Sequence, residues 1–339
     1  MIKINPLSTL YVGIDVSSKS NYVCALDFYK NKYINSSFAN NQPGAEELAQ
    51  KILECLKEHP DLNTVVAALE STSVYSIHIA NYLSSCEELM HMKPYVFVVN
   101  PKCMANYKKS FIGLGKSDPI DAFIIADYAR GGNIETEPWR GSQFLALKRL
   151  TRHRLHLVEC MTREKTYLVS NLYLKFSELQ MLEGENQPFC DIYGATSSSV
   201  LVEYLSPEEI IDSSEEDLVS FLAEKSRNRI KDISKTADLL KKAARDSYRL
   251  DKTLYEPLNV SIASSFNCIE TFKREIKTID QAIEREIKGL NPNAFIILQS
   301  IDGIGPVFAG GIVAEIGDIA AFSSSDSLAK YAGLCWRSN

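Results

Sequence analysis

"LYVGIDVSSKSNYVCALD" (residues 10–27) decides the fold. Residues 10–16 are apolar and β-branched, as a buried strand requires. Ser17–Ser20 is a polar turn, and residues 21–27 resume as a second strand. "KYINSSF" (32–38) is a third, weaker strand, so the chain opens with three strands joined by tight connections. After the break Asn40–Gly44, residues 45–58 carry Leu48, Ile52 and Leu56 at helical spacing. "TVVAALE" (64–70) is a fourth strand, 73–85 a helix, and "YVFVVN" (95–100) a fifth strand ended by Pro101. A loop then leads to a helix that begins at Asp118 and stops at Gly131-Gly132.

The order is β-β-β-α-β-α-β-α, which predicts a ribonuclease H-like α/β fold over residues 1–142. Several unrelated activities use that fold, so it does not settle function. From 143 to 290 the strands give way to long helical periodicity. Residues 144–176 contain neither Gly nor Pro and could extend roughly 45–50 Å. A second helical region runs from 233 to 288, with an interruption expected near Pro257. An acidic, Ser-rich connection between the two predicts an antiparallel coiled-coil arm, with an ordinary helical bundle as the alternative. Residues 291–339 form a third segment, in which Gly303-Ile304-Gly305 separates two apolar helices. In a helix-hairpin-helix unit Gly303 and Gly305 would let backbone N–H groups face a phosphate, although a plain interhelical turn explains them as well.

The chain has 339 residues, ample for several domains. No apolar run approaches the roughly 20 residues that span a bilayer, and the N-terminus lacks a signal-peptide pattern, so a cytoplasmic protein without a membrane partner is expected. The eight cysteines are scattered, without CxxC, and read mostly as small buried hydrophobes. A net charge of −6 alone argues against nucleic acid. Its distribution reverses that. Arg140–Lys175 holds eight bases against two acids, and Glu203–Glu224 holds eight acids and no base. Such a chain can turn a basic face, with Lys148, Arg149, Arg152 and Arg154, toward a polyanion; a merely solvated helix face is the other reading. Lys109 and Lys116 add bases near the start of the Asp118 helix.

Acids fall where the strands end. Asp15 interrupts an apolar central strand, and Glu70 ends the strand expected beside it. Asp118 and Asp121 open a helix near the same sheet edge. Asp118 before Pro119 reads as an N-cap with Pro at the first helical position, and Asp121 as a third-position acid that favours the helix dipole. Four carboxylates converging on one point repel unless cations neutralise them, and hard oxygen donors suit Mg²⁺ or Mn²⁺. Such a site suits phosphoryl transfer.

Four blocks carry a family resemblance: "YVGIDVSSKS", "VVAALESTSVY", "VVNPKCMANYKKSFIGLGKSDPIDAFIIADYARGG" and "LQSIDGIGPVFAGGIVAEIGDIAAFSSSDSLAKYAGL". Together they resemble the IS-one-ten family of insertion-sequence transposases, relatives of the Piv/MooV DNA invertases. The resemblance implies a RuvC-like domain whose Asp-Glu-Asp-Asp set falls on Asp15, Glu70, Asp118 and Asp121. It also implies a coiled-coil region, a C-terminal transposase domain, Mg²⁺-dependent DNA recombination and a structured noncoding guide RNA. A homo-oligomer, dimer or tetramer, would let a serine nucleophile of one subunit work beside the acids of another. That serine belongs in a Ser-Gly pair beyond the "YAGL" block, Tyr331–Leu334. Ser338 lies too close to the block and lacks a following glycine, so the C-terminal domain reads as incomplete and the nucleophile is expected beyond residue 339. Two other readings compete. One is a non-enzymatic nucleic-acid-binding remnant that regulates intact copies. The other is an actin-like or sugar-kinase-like ATPase, for which the helical run from 143 to 290 supplies no second phosphate loop.

Overall fold

The computed structural model describes residues 4–92, 94–111, 115, 117–134, 138–139, 143–317, 319, 322 and 324–334. Lys116, Arg140, Cys335 and Ser338 lie outside them. The five strands are β1 Thr9–Val16, β2 Ser20–Leu26, β3 Lys32–Ala39, β4 Thr64–Glu70 and β5 Tyr95–Val99. They form one sheet in the order β3-β2-β1-β4-β5. β1 and β3 run antiparallel to β2, while β1, β4 and β5 are mutually parallel. A mixed five-stranded sheet followed by many helices is compatible with the ribonuclease H-like expectation.

Alternation along β1 divides the core. Leu10, Val12, Ile14 and Val16 face α1 Gln42–Glu58, α2 Tyr75–Ser85 and α3 Glu87–Met90. The opposite face, with Tyr11, packs against α4 Pro101–Lys108 and α5 Asp118–Arg130. Gly13 lies on that second face. A Cβ there would collide with the backbone of Ala122 and Ala126, so only glycine lets α5 lie this close to β1.

Two local expectations are corrected. The segment after β5 is the helix α4, not a loop. Asn100 caps it, accepting from Lys102 N at 2.8 Å, and Pro101 occupies the first turn, where it needs no N–H donor. In α5 the cap residue is Ser117, whose carbonyl accepts from Ile120 N (3.0 Å) and Asp121 N (2.9 Å). Asp118 therefore sits in the first helical turn rather than at the cap.

The chain divides into two compact units, 1–146 with 316–339, and 147–315. The second is helical. α6 Gln143–Lys175 and α11 Lys252–Leu290 are its long members. They run antiparallel and stay in step: Arg154 pairs with Asp280, and Lys175 with Asn259, which is 21 residues along each helix. The acidic connection is not a bare loop. It folds into α7 Ala195–Glu203, α8 Pro207–Asp212 and α9 Glu215–Ser226, followed by α10 Ile233–Asp246. Leu201, Ile210, Leu222 and Leu240 from these helices close over Leu172 and Phe266 of the long pair. The interruption in the second helical region falls at 247–251; Pro257 sits inside α11 without ending it. α12 Pro292–Gln299 and α13 Pro306–Ile316 flank the Gly303–Gly305 turn, and α14 Ser325–Tyr331 is the last helix. Among the described residues no helix is long and apolar enough to cross a membrane. Of the seven described cysteines only Cys24, Cys55 and Cys86 are buried, so the expectation that most would be buried does not hold.

Candidate active site

β1 and β4 supply the first two carboxylates. Their parallel register reaches Ile14 opposite Leu69, which puts Asp15 and Glu70 next in step at the carboxyl ends of the two strands. Ile14 and Leu69 face α1 and α2, so Asp15 and Glu70 point to the side covered by α5. The contact of Gly13 with Ala122 then fixes the third and fourth. One turn back from Ala122 along α5 lies Asp118, and two residues on from Gly13 along β1 lies Asp15. Each step covers roughly 6 Å, so the start of α5 stands over the end of β1.

The electrostatics show Asp15 under the influence of the other three acids. The Asp15 carboxyl is half-buried, and its pKa rises from 3.8 to about 6. Burial is the main cause, followed by repulsion from Asp121, Asp118 and, more weakly, Glu70; Lys108 acts in the opposite sense. Lys108, in the last turn of α4, forms an ion pair with Asp121 at 2.9 Å (Nζ to Oδ1). This residue was not legible in the sequence, because α4 itself was not. Its only signal was the Asn100-Pro101 start, which sets Lys108 at the end of a two-turn helix.

All four donors are hard carboxylate oxygens, and an ammonium group already rests on one of them, so the chemistry fits a cation. In the present arrangement the groups are not drawn in. Among the described residues no cluster of three or more His, Cys, Asp or Glu side chains is gathered closely enough to hold a metal ion.

Below the acids, Asp127 of α5 is buried with Arg130 Nε at 2.8 Å, Lys30 Nζ at 3.1 Å and Tyr107 Oη at 3.1 Å. Burial alone would raise its pKa, but the hydrogen bonds from Arg130 and Lys30 outweigh that and hold it down. This satisfied cluster is structural. Through Tyr107 it fixes α4 against α5.

The expected basic residues are less available than their sequence implies. Lys148 and Arg152 both pair with Glu315, at 2.8 and 3.0 Å, and Arg154 pairs with Asp280. Arg149 and Lys109 are exposed, and Lys109 contacts Asn106 Oδ1 at 3.4 Å. Lys175 leaves the basic face altogether. It is fully buried and donates to the carbonyls of Leu201 (2.7 Å) and Tyr204 and to Asn259 Oδ1 (2.6 Å). Gly303 takes φ +88°, which a side chain would strain, whereas Gly305 does not need glycine for its backbone angles. A Cβ at either would meet nothing within 4 Å, so both face open space.

A mixed sheet of this order followed by helices is compatible with the DEDD class of transposase domain. A family model described as "Transposase", of the DEDD type, matches residues 12–177, and one described as "Transposase IS116/IS110/IS902 family" matches 296–339. The chain belongs to the IS110 family of transposases. It is similar to the pilin gene-inverting protein of Moraxella lacunata, at 28% identity over 160 residues, 47% of this chain and 46% of that protein. Similarity also extends to an uncharacterized 42 kDa protein of insertion element IS900 from Mycobacterium paratuberculosis, 24% identical over 329 residues, 96% of this chain and 76% of that protein. An uncharacterized 44.8 kDa protein of insertion element IS116 from Streptomyces clavuligerus is 24% identical over 336 residues, 96% of this chain and 75% of that protein. The match thus spans about half the length of the pilin gene-inverting protein.

Proposed function

We propose that this chain is the DNA transposase, or site-specific recombinase, of an insertion sequence. Its acidic centre would be Asp15, Glu70, Asp118 and Asp121. The observation that carries the reading is the stacking of the α5 start over the ends of β1 and β4, which brings Asp121, Asp118 and Glu70 within electrostatic reach of Asp15. In this reading the acids hold Mg²⁺ or Mn²⁺, which supplies charge stabilisation for phosphoryl transfer on DNA. Asp15 and Glu70, on rigid strands, fix the position of the site, and Asp118 and Asp121 close it from the helix side. In this reading Lys109, Arg149 and the open turn at Gly303 and Gly305 would meet phosphates. Lys148, Arg152 and Arg154 would join them by exchanging their carboxylate partners for phosphate; Lys116 belongs to the same proposed set. The finer parts of the reading are a structured noncoding guide RNA, a homo-oligomer (dimer or tetramer), and a coiled coil built on α6 and α11. A serine nucleophile would complete the chemistry, and none of the described residues is assigned that role.

The test incubates the chain with DNA carrying the element's ends and RNA transcribed from its flanks, with Mg²⁺ or with EDTA. Strand processing or strand-transfer products are expected only with Mg²⁺ and only with the acids intact. Activity that survives in both Asp15→Ala and Asp118→Ala would remove the acidic centre from the reaction.

A further inference from the structure

The acidic centre has its own cation. Lys108 Nζ lies 2.9 Å from Asp121 Oδ1, and the two side chains are 32% and 14% exposed, so the pair is held partly away from solvent. The lysine does not arrive there by chance of a flexible surface chain. Its neighbour Tyr107 anchors the end of α4 through a 3.1 Å hydrogen bond to the buried Asp127, and the Tyr107 ring packs edge-on against Tyr128 (5.1 Å) and Phe111 (5.4 Å). With Tyr107 pinned to the C-terminal part of α5, the next residue delivers its ammonium to the first turn of the same helix. Lys109, the next base along, turns away to Asn106.

We infer that Lys108 is a built-in counter-ion that competes with the divalent cation for the acidic centre, so that metal loading requires its ammonium to leave Asp121. This rests on the metal reading proposed above. Two arguments support it. An ammonium within hydrogen-bond distance of a carboxylate occupies the oxygen that a metal would need, and a like charge beside an incoming cation opposes it by Coulomb's law. A lysine is suited to this work because its four-carbon stem is flexible and its charge compact, so it can withdraw without unfolding the helix that carries it. The repulsion that would drive the acids apart is thereby reduced before the cation binds, at the cost of weaker binding when it does.

The experiment is equilibrium Mn²⁺ binding to the full chain, read from the electron paramagnetic resonance signal of free Mn²⁺, for the native protein, Lys108→Met and Lys108→Arg. Met keeps the aliphatic stem and removes the charge; Arg keeps the charge. Cooperative thermal unfolding in EDTA verifies that each variant folds. Lys108→Met should bind Mn²⁺ about five- to tenfold more tightly than the native chain, the scale expected for removing one partly screened charge. Lys108→Arg should stay within about twofold of native by the same reasoning. Equal affinity in the native chain and Lys108→Met, or weaker binding in the variant, overturns the inference while leaving the metal reading standing. Tighter binding in both variants also overturns it, since the effect would then not be one of charge. No Mn²⁺ binding to any of the three defeats the inference and the metal reading together.

Discussion

Replacing Asp15 by Asn removes the charge that the acidic centre tolerates least while keeping the shape of the side chain. In the folded chain the Asp15 pKa is raised from 3.8 to about 6. Between those values the folded protein holds a proton that the unfolded chain has released, so stability falls as pH rises through the window. At about 1.4 kcal/mol per tenfold the displacement corresponds to roughly 3 kcal/mol. The carboxyl is only half-buried, and solvent screening reduces this to about 1–1.5 kcal/mol. For a unit of this size that is a gain of roughly 2–6 °C in Tm for Asp15→Asn at pH 7.5 in EDTA. The gain should shrink between pH 6 and pH 4 and vanish below about pH 4, where the native carboxyl is itself neutral. Adding Mg²⁺ at pH 7.5 should reverse the order, because the native protein binds the cation more tightly than the variant. The assay is thermal unfolding of both proteins across pH 4–8. A difference that does not change with pH, or a variant less stable than native at pH 7.5 in EDTA, would refute the reasoning.

Other substitutions test other parts of the account. Gly13→Ala puts a Cβ into the backbone of Ala122 and Ala126 and should cost about 2–3 kcal/mol in urea unfolding; a cost under about 0.5 would mean that α5 does not need this close approach. Lys175→Met leaves the carbonyls of Leu201 and Tyr204 and the Asn259 amide oxygen without their buried donor. It should lower stability by about 2–4 kcal/mol. Unchanged unfolding would show that the α6–α7–α11 junction is held by apolar packing alone. Glu315→Gln releases the charges of Lys148 and Arg152 and should tighten binding of a single-stranded oligonucleotide several-fold at low salt, with a steeper salt dependence; no change in either would exclude these bases from the nucleic-acid face.

The sheet was readable because each strand is a short β-branched or aromatic run bounded by turn residues, and β4, Thr64–Glu70, falls where the sequence places it. Asp15 and Glu70 were readable as a pair because the strand order makes their strands neighbours. The helix α4 is not legible, because Pro101 reads equally as the end of β5 and, after Asn100, as a helix start; in the fold it is the start. Lys108 went unseen with it. The break in the second helical region lies at Ser247–Asp251 rather than at Pro257, which is the sixth residue of α11 and does not end it. Side-chain partners distant in sequence left no local trace at all. Nothing near Arg152 announces Glu315, 163 residues away, and nothing near Lys175 announces the end of α7, whose carbonyls draw it into the interior.

The central claim is that four acids from two strands and one helix form a single divalent-cation site. Isothermal titration of Mg²⁺ and Mn²⁺ into the native chain and into Asp15→Asn, Glu70→Gln, Asp118→Asn and Asp121→Asn tests it most directly. Binding to the native protein with at least about tenfold loss in each of the four variants is the predicted result, since each removes one charged ligand. Native-like affinity in any two of them would contradict a shared site.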